Sequence, residues 1–176
     1  IMAIFFVSEG FAIHLRVRRG GHAMSVSEIP VVLGILSLDP VVLLVSRLIG
    51  GGLGLAVLRR QRGLKLGFNV ALIGLQATVT ALIFTGLAGR PAELGPREWL
   101  AAYVAVFISD ALAAAMITAV IALHDDPSEL RRLTRAFHGL PLDANTATVA
   151  LIGAMALRHD ARALLLLGVA GIVTYG

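Results

Sequence analysis

No cysteine occurs among the 176 residues. Its absence removes thiolate nucleophiles, Cys-ligated zinc and disulfides together, and leaves the redox compartment open. Aromatic residues make up only 6% of the chain and charged residues only 15%. With so few aromatics there is no basic face interleaved with rings, so nucleic acid is not an expected partner even at a sequence pI near 10.6. The formal charge of +4 is modest, and the arginines gather at the ends of apolar runs, where they orient membrane helices. Catalytic signatures are missing as well: the chain has no H-E-x-x-H and no G-x-S-x-G. The groups at His124 to Asp126 and Arg158 to Asp160 each stand alone at a helix end, whereas a metal site needs three or four convergent ligands. The run GGGLGL from Gly50 lacks the Lys-Ser/Thr ending of a phosphate-cradling loop. Neither an enzyme nor a metal or cofactor is expected of this stretch of chain.

What is abundant is oil. At 57% hydrophobic residues and a mean hydropathy of +0.87, the chain carries more apolar side chain than a soluble domain of this length could bury. The Leu, Ala, Val and Gly content fits packed helices, because a transmembrane barrel alternates apolar and polar residues in much shorter segments. The fold class expected is therefore an all-α integral membrane protein, one domain over residues 1–176, with about six transmembrane helices. Spans are expected to end near Ile13 and to run over Leu64 to Leu87, Arg97 to Leu123, Leu142 to Leu157 and Ala161 to Gly176, with Arg158 to Asp160 as a polar turn. Residues 28–58 read either as two spans, the first short, or as one span broken at Asp39-Pro40, since proline disfavours helical geometry in the residue before it. The apolar start at Ile1 and the final run to Gly176 both look like parts of longer helices, as in a domain excised from a larger chain.

Arginine and lysine at the short loops set an expected orientation. Arg59, Arg60, Arg62 and Lys65 form the strongest cluster and are placed in the cytoplasm of a bacterial inner membrane, which puts the C-terminus there too. Asp126, Pro127 and Glu129 supply a helix start, with Leu130, Leu133 and Phe137 on one face and Arg131, Arg132 and Arg135 on the other. An interfacial amphipathic helix over 127–138 follows, lying against anionic head groups.

Polar residues inside such a chain are the candidates for function. Arg47 and Asp110 fall well inside spans, where a charge is costly and faces the bundle interior, so a buried pair between them would satisfy both. Asn69 and Gln76 read as interhelical hydrogen-bond partners. Gly50 with Gly54, and Ala111, Ala115 and Ala119, have the small-x-x-x-small spacing that lets membrane helices approach closely. Between residues 13 and 27 lies a polar island in which Ile13, Leu15 and Val17 alternate with His14, Arg16 and Arg18, the period of a half-buried strand. With Gly20-Gly21 as the turn, a small β-hairpin over 13–27 is expected, flanked by Glu9 and Glu28. Glu9, His14, Arg16, Arg18, Glu28, Arg47 and Asp110 are thus the candidate ligand-binding residues.

Glu9, the HLR-x-RR stretch from His14, SVSEIP at Ser25 to Pro30, Asp39-Pro40, SRLIGG from Ser46 and LKLGFN at Leu64 to Asn69 carry a resemblance. Together they resemble the N-terminal membrane regions of bacterial, especially actinobacterial, signalling proteins with GGDEF and EAL domains that make and degrade cyclic di-GMP. The resemblance implies a sensor domain whose partners are the lipid bilayer, an unknown small ligand and a cytosolic output domain in the same chain, with a homodimer left open. More distantly, the run from Glu28 to Gly50 is similar to substrate-binding subunits of energy-coupling-factor vitamin transporters. That likeness implies the alternative of a small-solute binding subunit, and a plain anchor or dimerisation module stands beside both.

Overall fold

A computed structural model describes residues 1–14, 28–89, 94–124 and 140–159, and among them every regular element is a helix. The six helices are α1 (Met2–His14), α2 (Glu28–Ser37), α3 (Pro40–Val57), α4 (Gly63–Ala88), α5 (Pro96–His124) and α6 (Leu140–His159). Three of them, α3, α4 and α5 (apolar to Leu123), are long and apolar enough to cross a membrane, so the chain is a helical membrane protein. At 1.5 Å per residue, α4 and α5 reach roughly 40 Å, more than a hydrocarbon core of about 30 Å requires. Their outward residues are those lipid would meet, with Leu82 67% and Leu100 64% exposed. The full set of six spans is not reached among the described residues. The ten residues of α2 cover only about 15 Å, and residues 160–176 lie outside the described part.

Local chemistry explains where the helices begin and end. Asp39 caps α3 by accepting a 3.0 Å hydrogen bond from the Val41 N–H, and Pro40 follows in the first turn, where its missing N–H costs nothing. Gly89 closes α4 at φ +72°, a left-handed value that glycine adopts without strain. The Glu98 carboxylate reaches back from the first turn of α5 to the Gly95 N–H at 2.8 Å, as in a capping box. Pro141 lies in the first turn of α6, where its missing N–H costs nothing.

Side-chain contacts fix how the helices run. Gly50 meets the Met2 carbonyl and Phe5, and a Cβ placed on Gly54 would stand 2.7 Å from Glu9 Cβ and 3.0 Å from the Phe6 carbonyl. Both numbers rise together, so α1 and α3 run parallel, seated on the two glycines. Gly51 against Ile73 and Gly74 against Leu48 make α3 and α4 antiparallel. The Gln76–Asp110 bond and the 2.6 Å hydrogen bond between the Tyr103 and Thr148 hydroxyls set the levels of α5 and α6. Helix α2 folds back beside α3, with Gly34 against Leu43, so the Asp39-Pro40 break is a turn between two helices and not a kink in one span.

Two ends of the bundle follow. The basic face carries the connection from Leu58 to Arg62 and the C-terminal ends of α1 and α5; the far face carries the α2–α3 turn and the connection from α4 to α5. The hydrophobic core cluster lies mostly in the far half, with Val31, Val32, Leu33, Ile35, Leu36, Leu43, Phe84, Ala101, Ala102, Ala105, Val106 and the α6 residues Ala147, Ala150, Leu151 and Ala154, and it reaches Phe5 of α1. The buried small residues of α5 are thus Ala101, Ala102 and Ala105, with Ala113, while Ala111, Ala115 and Ala119 are only half-buried. Of the expected hairpin, Ile13 and His14 are helical, in the last turn of α1; its remaining residues, and the expected interfacial helix over 127–138, lie outside the described residues. Arg158 and His159 belong to α6 rather than to a turn.

Candidate functional site

Arg47 lies in α3, eight residues into an 18-residue helix, and is only 6% exposed. Antiparallel packing sets it level with Gln76, near the middle of α4, and the Gln76–Asp110 bond extends the level to the middle of α5. The guanidinium stands over the ring of Phe5 with 5.7 Å from Cζ to the centroid, close enough for a cation–π attraction. Its Nε and Nη1 groups are buried and have no hydrogen-bond acceptor among the described residues.

Acidic groups from three other helices share the interior with Arg47: Glu9 of α1, Asp110 of α5 and Glu28 of α2. Each carboxylate also has a role of its own. The Glu9 carboxylate forms an ion pair with Arg59 at 3.6 Å, while Arg59 Nε donates to the Glu9 carbonyl at 3.1 Å. Asp110 accepts a 3.1 Å hydrogen bond from Gln76 Nε2. Glu28 is buried, 9% exposed, at the first turn of α2.

Of the seven candidate residues, the structure therefore brings four together: Glu9, Glu28, Arg47 and Asp110. His14 ends α1, on the basic face, and Arg16 and Arg18 lie outside the described residues. Arg47 and Asp110 lie at the same level of the bundle, and there Asp110 accepts a hydrogen bond from Gln76. Gln76 does bond between helices, whereas Asn69 donates to Gln61 at 2.6 Å, in the connection before its own helix. Phe5 had no sequence signal, being an ordinary apolar residue until α1 docks, and the pairing of Glu9 with Arg59, fifty residues apart, lies beyond any local spacing rule.

Ionisable and amide groups from five helices, with Arg47, Gln76 and Asp110 near the middle of theirs and Glu9 nearer the basic face, define the class: a polytopic helical membrane protein with charged groups in its interior. No family model, no curated protein and no solved structure matches the chain.

Proposed function

We propose that this chain is the membrane-embedded sensor domain of a bacterial signalling protein. A ligand, lipid or membrane signal shifts its helices, and the change passes to a cytosolic output domain beyond Gly176. Cyclic di-GMP turnover is the output to which the sequence resemblance points. The observation that carries the reading is Arg47, a buried cation that shares the interior with acidic groups from three other helices. Intramembrane charges of this kind are expensive, and where they persist they mark ion or ligand paths, relays or switches. A cation with several competing counter-charges gives the bundle alternative arrangements of similar energy, and a signal acts by binding one arrangement better than another.

The test uses the full-length parent protein. Replacing Arg47 with Gln, or Arg16 and Arg18 together with Gln, should change cytosolic output while the protein still inserts and elutes as a single species in detergent. The output domain expressed alone should keep its activity. Wild-type output from both variants, across lipid compositions, would reduce the domain to an anchor. The transporter alternative draws support from the position of Arg47, Gln76 and Asp110 near the middle of their helices, the usual depth of a solute site in secondary transporters. Solute uptake by proteoliposomes that is lost in Arg47→Gln would favour it.

A further inference from the structure

The turn that joins α2 to α3 does not close flat against the bundle. Between it and the last turn of α4, on the far face, lies a half-open cavity of about 250 Å³. Its lining divides by chemistry. The buried Ile35, Leu36 and Phe84 make an apolar floor, and the exposed Ser37, Asp39 and Thr85 stand at the rim. The volume falls below the roughly 300–1,000 Å³ usual for drug-sized ligands, so the space suits a smaller molecule.

The rim is rich in acceptors. Two helices end there, and the last carbonyls of a helix have no donor within it. In α2 the Leu38 N–H takes the Gly34 carbonyl, while those of Ile35, Leu36 and Ser37 receive no backbone N–H among the described residues. Helix α4 ends at the same cavity, through Thr85 and Gly89. Arg97 illustrates what such an end attracts, since its Nε donates to the Leu87 carbonyl at 3.0 Å. Asp39 is the one charged residue among the described lining. It also caps α3 through the Val41 N–H, but a carboxylate carries a whole charge against the about half charge of a helix start, and two negative helix ends add to it. The rim is therefore negative. An anion is repelled, and a hydrated metal ion gains nothing from an apolar floor.

We infer that this cavity is a binding site for a small primary amine. The ammonium donates to the Asp39 carboxylate and the α2 carbonyls, and the short apolar body lies on Ile35, Leu36 and Phe84, whose ring also favours a cation. Asp39 opens α3, so the amine sits at the far end of the helix that carries Arg47. The site is distinct from the Arg47 cluster and stands whether or not the chain signals, because its test reads binding alone.

The probes are n-butylamine, 1-butanol and butyrate, which are alike in shape and differ in charge. Their binding to the full-length protein in detergent is followed by ligand-detected NMR titration, with protein-free micelles as the blank. n-Butylammonium should bind about tenfold or more tightly than 1-butanol, and butyrate should not bind. Asp39→Asn retains the helix cap, because Asn caps as well as Asp, and should weaken the amine about tenfold while leaving the alcohol unchanged. Ser37→Phe, at an exposed position, should fill the cavity and abolish binding of both, with folding of each variant checked by elution in detergent. Absence of amine binding, equal affinity for amine and alcohol, or unchanged amine affinity in either variant would overturn the site.

Discussion

The two halves of this bundle solve the same packing problem with different chemistry. In the far half, α2, α5 and α6 close on Val, Leu, Ile and Ala side chains, the alanines Ala101, Ala102 and Ala105 let the backbones approach, and the Tyr103–Thr148 hydroxyl pair is a neutral polar contact between α5 and α6. In the half nearer the basic face, α1 is held to α3 by two glycines, one ring over a guanidinium, and the Glu9–Arg59 pair. Lipid tails are as apolar as Leu, so burying apolar surface between membrane helices gains little by itself, and shape and polar contacts decide the association. The far half therefore depends on fit and the basic half on charge balance. That difference places any adjustable part of the molecule in the basic half.

The largest expected effect comes from Arg47→Leu. It leaves the carboxylates of three helices without their shared cation, a change worth about 3–5 kcal/mol where one partner of a buried pair is removed. A fall in detergent-unfolding midpoint larger than that of any single carboxylate variant is expected. Double-mutant cycles sharpen the comparison, because Arg47→Leu should couple both to Glu9→Gln and to Asp110→Asn. Additive losses with either would remove that carboxylate from the Arg47 network.

In the far half, Leu43→Ala removes a side chain 1% exposed and packed on Gly34, and should cost about 2–5 kcal/mol, the range for truncating a buried Leu. Gly54→Ala is next, at about 1–3 kcal/mol, because the added Cβ meets the Phe6 backbone as well as Glu9 and cannot be relieved by a rotamer change. Cross-linking between α1 and α3 should weaken in that variant while α2–α6 cross-linking persists. Gln76→Leu is expected to cost least, on the order of 0.6–1.7 kcal/mol, the measured scale of interhelical hydrogen bonds in membranes.

These contrasts also mark what could be read without coordinates. The spans over α4 and α5, the break at Asp39-Pro40 and the close approach at Gly50 and Gly54 are local, since hydropathy, a helix cap and a four-residue spacing each lie within a short window. Arg47 and Asp110 stand out because charge is costly in an apolar run, which requires only the sequence of that run. Which carboxylate answers Arg47 depends on helix register, and register is a tertiary property. The direction of α2 is of the same kind: ten apolar residues before Asp39-Pro40 suit a kinked span as well as a returning helix. Only the contact between Gly34 and Leu43 distinguishes them.

The parallel seating of α1 on Gly50 and Gly54 has a mechanical consequence. A glycine surface brings two helices close but offers no side-chain teeth to resist sliding along their common axis. Among the described contacts, the axial position of α1 is then set by the Phe5 ring on Arg47 and by Glu9 on Arg59. Such a joint behaves as a clutch: while both polar contacts hold, α1 and α3 move as one body, and loss of either lets one slip lengthwise past the other. A signal that neutralised or displaced one charge would thereby become a displacement along the membrane normal.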